Sequence, residues 1–221
     1  MNNNKDIKPF YIYADRNSLY IKNINEQTEK LANNIHTYCA NFDDNQSIHI
    51  CALDVKGKLS HFINVNGVWK RKMICKVFNN LKNIKDMRLY IINGLLNIFV
   101  VENYAISDNL YKVSHFNFSP LNYKVSKYSI NNICKEDEYI YKLNIDETSN
   151  IIFEYNKFNP STRSILNELI VFDTSCNKWI LSNKFSRRST LENSNNEIFE
   201  SFRNNIKDDI FEYCYSIKYK F

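Results

Sequence analysis

Two histidines occupy matching places in short apolar runs, and imidazole is the side chain that most readily transfers a proton near neutral pH. His61 lies in a Leu-Ser-His-Phe run and His115 in a Val-Ser-His-Phe run. A third run, Leu169–Phe172, has Val171 at the same place. Because that place also accepts valine, we predict that both histidines pack inside strands, and ligand binding by the pair is the alternative.

Carboxylates are the second candidate chemistry, because two of them about 5 to 10 Å apart can hydrolyse a glycosidic bond. The acids on or near predicted loops are Glu102, Asp108, Asp146, Glu147 and Glu154. Nothing in their spacing brings a chosen pair together, so they are predicted to be solvated surface groups. No catalytic residue is assigned, and whether the chain is an enzyme stays open, with a non-catalytic role favoured.

The cysteines and glycines indicate neither a metal site nor a cofactor. Six cysteines form no C-x-x-C pair and have no close histidine partner, so no metal ligands are predicted. Four of them lie in apolar runs and are predicted to be free core thiols: Cys39, Cys51, Cys75 and Cys214. With only three glycines, the chain has neither a dinucleotide fingerprint nor a P-loop, and no cofactor is predicted.

Aromatic and basic residues give the candidate binding surfaces. Trp69, Tyr123 and Trp179 could stack on a sugar or a base, although packing against the core at the blade edge is the favoured interpretation. The neighbouring basic patch consists of Lys70, Arg71, Lys72, Lys124 and Lys127. Cations interleaved with aromatics are typical of single-stranded nucleic-acid binders, whereas lysines on an outer strand also prevent unwanted strand pairing. With a net charge of only +5, nucleic acid is the less expected partner.

The elements that must position these residues recur along the chain. Phe62, Phe116 and Phe172 are each followed by an aromatic residue seven positions later. Each is preceded by an alternating apolar stretch, and the steps between the equivalent isoleucines are 48 and 54 residues, taking Ile50, Ile98 and Ile152. Four strand-like segments per repeat predict a four-stranded blade, at about 36–76, 87–130 and 138–184. Asn66-Gly67 and Asn93-Gly94 are strong hairpin signals within this pattern.

The two ends of the chain differ from the repeats. Three strand-like runs, Phe10–Ala14, Leu19–Ile24 and Glu29–Asn34, predict an N-terminal blade that lacks one strand. Apolar residues at helical spacing and a Ser194–Glu197 capping box predict a helix over about 195–212, with a strand over Asp209–Tyr215 as the alternative. We expect the missing strand to come from the tail Ile217–Phe221 or from a second subunit.

These features resemble the β-propeller repeats of sialidase-like and lectin-like proteins, and the propeller proteins of low-GC Gram-positive bacteria. The resemblance covers about residues 10–184. It implies an all-β, propeller-like array of about four four-stranded antiparallel blades, one of them incomplete, over residues 1–190. A C-terminal helix and tail follow over 191–221.

Three functions follow from this organisation. The first is a non-catalytic module that binds a protein or glycan partner, alone or as a homo-oligomer that completes the blade. The second is a degenerate glycan-processing hydrolase of sialidase-like type, and the third is a single-stranded nucleic-acid binder. The polar N-terminus and the lack of a long apolar segment predict a cytoplasmic protein without a membrane partner.

Overall fold

The computed structural model describes residues 11–23, 25–65, 67–104, 109–135 and 139–181. These residues form 15 antiparallel β-strands and no helix. In chain order the strands are β1 (Tyr11–Asp15), β2 (Ser18–Lys22), β3 (Thr28–Ala32), β4 (Ile35–Phe42), β5 (Ile48–Asp54), β6 (Lys58–Val65), β7 (Val68–Lys76), β8 (Ile84–Ile92), β9 (Leu95–Asn103), β10 (Leu110–Phe118), β11 (Ser126–Cys134), β12 (Lys142–Ile145), β13 (Ile151–Asn159), β14 (Ser164–Asp173) and β15 (Lys178–Leu181). Among these residues no helix is long and apolar enough to cross a membrane.

The strands are arranged as the repeat pattern predicts. The first blade has three strands, β1 to β3, and the second has four, β4 to β7. The third blade, β8 to β11, and the fourth, β12 to β15, form one larger sheet, because the end of β11 pairs with β13 at two residues. The predicted all-β class, with four-stranded antiparallel blades of which one is incomplete, is therefore confirmed.

The described residues belong to two compact units, and the chain passes from the first to the second between Leu81 and Lys82. In the first unit the core combines residues of the first two blades, such as Leu19 with Ile50 and Phe62. In the second unit the core combines residues of the third and fourth blades, such as Phe99 with Phe153. Each unit thus buries one face of a blade against a face of its neighbour.

Burial explains why the second strands of the second and third blades, β5 and β9, are mostly apolar. In β5 every residue from Ile48 to Leu53 is buried, because both faces of this strand are covered. By contrast, most residues of the outer strand β7 are exposed. A continuous apolar run therefore marks an inner strand, and a polar, basic run marks an outer strand.

The predicted Asn-Gly hairpins have the expected backbone. Asn93 and Gly94 both have positive φ, 50° and 72°, and join β8 to β9 through the pair Ile92–Leu95. Both positive values are what a type I′ turn requires. Gly67, with φ of 82°, lies between β6 and β7, and Asn66 lies outside the described residues.

Four other hairpins share a turn that the sequence analysis did not identify. An Asp or Asn side-chain oxygen accepts the backbone N–H of the residues two and four positions later, and the residue three positions later has positive φ. The capping residues are Asn23, Asp43, Asp54 and Asp146. In one of these turns glycine is required, because a Cβ on Gly57 would lie 2.0 Å from the carbonyl oxygen of Phe78.

The pairing register confirms the equivalence of the three phenylalanines and corrects one isoleucine. Each phenylalanine is buried on the third strand of its blade. Phe62 pairs with Ile50 and Phe116 with Ile98, but Phe172 pairs with Ile151. The prediction that Ile152 is equivalent to Ile50 and Ile98 is therefore wrong by one position. Residues one position apart in a strand lie on opposite faces of the sheet.

The predicted C-terminal helix over about 195–212, its strand alternative, and the tail Ile217–Phe221 lie outside the described residues. The proposed domain boundary at 190 and 191 lies outside them as well. The helix, the tail and the domain boundary therefore stay predictions.

Candidate functional site

His115, on β10, lies inside an aromatic cage that the third and fourth blades build together. Its ring stacks on Phe99 with 4.5 Å between ring centroids and 5° between planes. Phe172 and Trp179, from the fourth blade, present their edges at 4.7 and 5.5 Å. His115 is 0% exposed, so in this structure it offers no surface to a ligand.

Hydrogen bonds in the cage fix the protonation state of His115. The indole Nε1–H of Trp179 donates to His115 Nδ1 at 3.2 Å, so this nitrogen carries no proton. His115 Nε2 lies 3.0 Å from Asn97 Oδ1, which also accepts a hydrogen bond from Asn117. Burial lowers the pKa of His115 to about 3. The ring is therefore neutral, with its proton on Nε2, and both nitrogens are used.

His61, at the matching place in the second blade, lies in a different arrangement that we call the imidazole chain: Asp43, His49 and His61. His61 Nε2 is 2.9 Å from His49 Nδ1, and His49 Nε2 is 3.3 Å from Asp43 Oδ2. The two imidazole rings stack with 5.1 Å between centroids. His61 is 0% exposed, whereas the Asp43 side chain is 21% exposed, so the chain runs from the buried sheet to the surface.

Electrostatics assign the proton positions in the imidazole chain. Burial, with the neighbouring His49 adding to its effect, lowers the pKa of His61 to about 3, so His61 is neutral. Burial acts to raise the pKa of Asp43, but hydrogen bonds from Ser47, His49 and Asn45 outweigh it and lower that pKa, so Asp43 is a carboxylate. A carboxylate only accepts, so His49 donates to Asp43 through Nε2.

The imidazole chain gives His61 and His49 polar partners within the second blade. Sequence reasoning missed His49 and Asp43 as members, although a histidine inside the otherwise apolar run of β5 is a detectable signal. Among the described residues, no group of three or more His, Cys, Asp or Glu side chains is arranged to hold a metal ion. Of the predicted core thiols, Cys39 and Cys51 are buried, Cys75 is half-buried, and Cys214 lies outside the described part of the chain.

The three candidate aromatic residues do not share one structural place, although they share one spacing in the sequence. Trp69 is on β7 opposite Asn64 and packs against the core of the first unit. Trp179 is on β15 opposite Phe172 and belongs to the cage. Tyr123 precedes β11 and stacks on Phe118. The hairpin loops differ in length, so equal spacing does not give equal register.

The candidate carboxylates that the structure describes have separate structural partners. Glu102 accepts a hydrogen bond from Ser114 and lies 3.5 Å from Lys112, and Glu154 lies 3.6 Å from Lys142. Asp146 caps a turn, Glu147 is exposed, and Asp108 lies outside the described residues.

One further carboxylate, Glu168, was not identified from the sequence. It accepts hydrogen bonds from Tyr155 at 2.7 Å and from Lys157 at 2.9 Å. Glu168 pairs with Tyr155, and Tyr155 is adjacent to Glu154 on β13, so the two glutamates project from opposite faces of the sheet. Glu154 and Glu168 therefore cannot act together on one bond.

The predicted basic patch is divided between the two compact units. Lys70, Arg71 and Lys72 are on β7, in the first unit. Arg71 lies 5.5 Å from the ring centroid of Phe62 and donates to the Ser60 hydroxyl. In the second unit, Lys124 precedes β11, and Lys127 on β11 lies 5.3 Å from the centroid of Phe116. Arg71 and Lys127 each pair with the blade's repeated phenylalanine, so they are equivalent.

Positive charge is concentrated around β7. Residues 55–85 contain eight Lys and Arg and no Asp or Glu, so the rest of the chain has a net charge of −3. We call β7, with Lys70, Arg71, Lys72 and Lys76, the cationic outer strand. Among the described residues, none of the ion pairs includes Lys70, Arg71 or Lys76.

Four cations of the second unit have acidic partners. Arg88 pairs with Asp86, and lysines on β10, β12 and β13 pair with glutamates on adjacent strands.

No protein-family model and no curated protein sequence matches the chain. Solved structures similar to it include an α-L-arabinofuranosidase of Fusarium graminearum with arabinobiose, at 10% identity and a TM-score of 0.40, over 66% of this chain and 47% of that one. An exo-1,5-α-L-arabinanase from a bovine ruminal metagenomic library has 10% identity and a TM-score of 0.42, over 78% and 72% of the two chains.

A chain from a Saccharomyces cerevisiae complex of dbp5, nup159 and gle1 is also similar, at 13% identity and a TM-score of 0.41, over 79% of this chain and 51% of that one. The present chain spans about half the length of this protein and of the arabinofuranosidase. Similarity at this level identifies neither a family nor an activity. The resemblance to sialidase-like and lectin-like repeats stays a prediction.

Proposed function

We propose that this chain is a non-catalytic binding module that engages a protein or glycan partner through the cationic outer strand. The observation that carries this proposal is the set of exposed cations Lys70, Arg71 and Lys76 on β7, none of which forms an ion pair among the described residues. Exposed like charges on adjacent positions repel one another, and an anionic partner removes that repulsion. The surface therefore favours an anionic group on the partner.

The candidate catalytic side chains are used in a different way. His115 satisfies both ring nitrogens inside the cage, and the carboxylates Glu102, Glu154 and Glu168 are each paired with a lysine. These contacts stabilise the blades. On β7, by contrast, Lys70 and Lys76 are exposed and take part in none of the ion pairs among the described residues.

The test measures retention of the full chain on immobilised heparin, an anionic glycan, and on immobilised poly-glutamate, a protein-like polyanion. We expect retention on at least one of them, with elution by moderate salt because exposed charges are screened. The double charge reversal Lys70→Glu with Lys76→Glu is expected to lower the eluting salt concentration. Lys124→Glu with Lys178→Glu changes the net charge equally in the second unit and is expected to elute like the wild type.

Two results would contradict the proposal. One is that neither matrix retains the chain. The other is that both charge-reversed pairs lower the eluting salt concentration by the same amount. Retention on immobilised oligonucleotide alone would instead favour the nucleic-acid alternative.

A further inference from the structure

The first blade has a face of tyrosines and lysines that stays partly open to solvent. Alternation along β1 places Tyr11 and Tyr13 on the same face of the sheet. On β2, Lys22 lies opposite Tyr11, and Tyr20 lies opposite Tyr13. Lys30 of β3 lies opposite Tyr20. We call these five residues the tyrosine face.

The opposite face of the same sheet anchors the blade in the first unit. Ile12 and Leu19 project from that opposite face, and they pack in the core that the first blade shares with the second. On the tyrosine face, Tyr11 is 49% exposed, and Lys30 is exposed as well. Exposed aromatic residues that cluster on one face are typical of a binding surface, because folding alone favours their burial.

The rings of the tyrosine face comprise a stacked pair and one ring without an aromatic neighbour. Tyr13 and Tyr20 stack with 5.3 Å between centroids and 15° between planes, and the Lys30 ammonium lies 5.6 Å from the Tyr20 centroid. Tyr11 forms no ring contact among the described residues, and no hydrogen bond between described residues uses the hydroxyl group of any of the three tyrosines. Ring surface and hydroxyl groups are therefore accessible to a ligand.

Charge distinguishes the tyrosine face from the cationic outer strand. Residues 11–32 contain three basic and three acidic side chains, so this segment has no net charge. One of the lysines, Lys22, is 3.5 Å from the carboxylate of Glu26. Nucleic-acid binding depends on neutralising many phosphates with an excess of cations, which the first blade does not have. An uncharged ligand therefore complements this face best.

We propose that the tyrosine face binds a neutral, extended oligosaccharide. The face of an aromatic ring is negative, so it attracts the weakly positive C–H groups on the face of a sugar ring. Hydroxyl and ammonium groups beside the rings donate hydrogen bonds to sugar oxygens. Tyr11 and Tyr13 are about 7 Å apart along one strand, so they contact different sugar units of an extended chain. This site goes beyond the proposed function, because it lies on the first blade and does not use β7.

The same residues disfavour a protein at this face. The centre of a protein interface is depleted of charged residues, because burying a charge without a partner is costly. Lys30 lies next to the central ring of the face, so a protein partner would bury its ammonium group. A second copy of this chain would in addition bring the lysines of both copies together. A sugar chain is narrow enough to cover the rings while the ammonium groups stay hydrated at its side.

The test measures binding to the full chain, by isothermal titration calorimetry, of β-1,4-linked hexasaccharides of glucose, xylose and mannose. We expect at least one of them to bind with a Kd of about 1 mM or lower. Its affinity should change little with salt, because binding neutralises no net charge. Tyr11→Ser is expected to weaken binding about tenfold by removing the exposed ring, and Tyr11→Phe, which keeps the ring, is expected to weaken it less.

Phe42→Ser is the matched control for Tyr11→Ser. Phe42 is an aromatic residue of the same unit with similar exposure, 40%, but it lies on β4 of the second blade, so its loss should leave sugar binding unchanged. Thermal unfolding checks that each variant folds. Tyr11→Ser is expected to keep a midpoint close to that of the wild type, because its ring is exposed.

A second measurement locates the site by nuclear magnetic resonance of the full chain labelled at its tyrosine rings. Adding the sugar that binds is expected to shift the ring signals of Tyr11 and Tyr13, and Tyr11→Ser identifies which signal belongs to Tyr11. Shifts confined to other tyrosines would place the sugar elsewhere and overturn this inference.

The outcomes distinguish this inference from the proposed function. If none of the three sugars binds at concentrations up to about 10 mM, or if Tyr11→Ser binds as tightly as the wild type, the inference is wrong. Retention on heparin or poly-glutamate through β7 would still support the proposed function. Salt-dependent binding of an oligonucleotide that Tyr11→Ser weakens, without sugar binding, would overturn the neutral ligand. Sugar binding at the tyrosine face without retention on either polyanion would support this inference and refute the proposed role of β7.

Discussion

The same histidine position of the repeat is used in two different ways in two blades that are consecutive along the chain. His115 is enclosed by Phe99 and the rings of the fourth blade, with both ring nitrogens bonded to Asn97 and Trp179. His61 is bonded to a second histidine, which in turn contacts the partly exposed Asp43. A buried imidazole thus needs hydrogen-bond partners in both blades, but different residues supply them.

The difference shows what a repeat keeps and what it varies. Strand order and the buried phenylalanine are kept, because they fill the space between blades. The polar partners of the histidine vary, because any properly placed donor or acceptor satisfies a buried nitrogen. The cage is closed on all sides, whereas the imidazole chain ends near solvent.

The largest expected effect is a loss of stability at low pH, and both histidine arrangements contribute to it. The pKa of His61 and that of His115 are about 3 in the folded chain. In the unfolded chain a histidine has a pKa of about 6.5 and so binds more protons below that pH. The stability that each contributes is complete above about pH 6.5 and is lost as the pH falls towards 3. From about pH 7.5 to about pH 5 the free energy of unfolding should fall by about 2 kcal/mol per histidine.

Denaturant titrations of the full chain across this range measure the loss, and single variants separate the two sources. His61→Gln and His115→Gln should each remove about half of the pH dependence. If His61→Gln removed much less than His115→Gln, then the imidazole chain would take up the proton in the folded state, and the two arrangements would differ in charge as well as in geometry.

The next effect concerns the closed cage. Asn97→Leu removes the oxygen that accepts hydrogen bonds from His115 and Asn117, and so leaves two buried polar groups without this partner. The expected loss in the free energy of unfolding is about 3 kcal/mol, from the desolvation of both groups.

Asn167→Leu is the matched control for this substitution. Asn167 also bonds to two side chains, Glu154 and Asn156, but it is exposed, so the loss should stay below about 0.5 kcal/mol. Similar losses for the two variants would show that burial does not distinguish the cage.

The smallest effect concerns the open end of the imidazole chain. Asp43→Asn retains an amide oxygen that caps the turn but removes the negative charge next to His49. Asp54→Asn is matched, because Asp54 caps the next turn in the same way, through the N–H groups of Lys56 and Lys58. At neutral pH, Asp43→Asn should cost about 0.5 kcal/mol more than Asp54→Asn, since a partly exposed charged contact contributes little. Equal costs in thermal unfolding would mean that the carboxylate acts on the turn alone.

Local sequence signals predicted much of the fold because strand formation and tight turns depend on nearby residues. The apolar run Ile48–Leu53 marks a strand covered on both faces, and Asn93-Gly94 marks a turn that needs two positive φ values. The three buried phenylalanines were found at equivalent positions for the same reason. The turns capped by an Asp or Asn side-chain oxygen were missed. An Asp before a polar loop has no distinctive sequence pattern, because its hydrogen bonds to the backbone are visible only in the folded turn.

The candidate site was harder to predict from the sequence than the fold. Trp69 and Trp179 have the same distance from a phenylalanine along the chain, but the loops between their strands differ, and only pairing shows that they lie opposite Asn64 and Phe172. Likewise, nothing in the sequence distance between His115 and Trp179 indicates a hydrogen bond across 64 positions.

By itself, the sequence determined the strands, most of their boundaries, the incomplete first blade, and the segregation of positive charge into residues 55–85. These properties follow from alternation, turn chemistry and composition, all of which act over a few residues. Only the tertiary structure decided the register of Phe172 and the partners of His61 and His115. Hydrogen bonds and charges act across space, so their partners are set by which strands lie side by side.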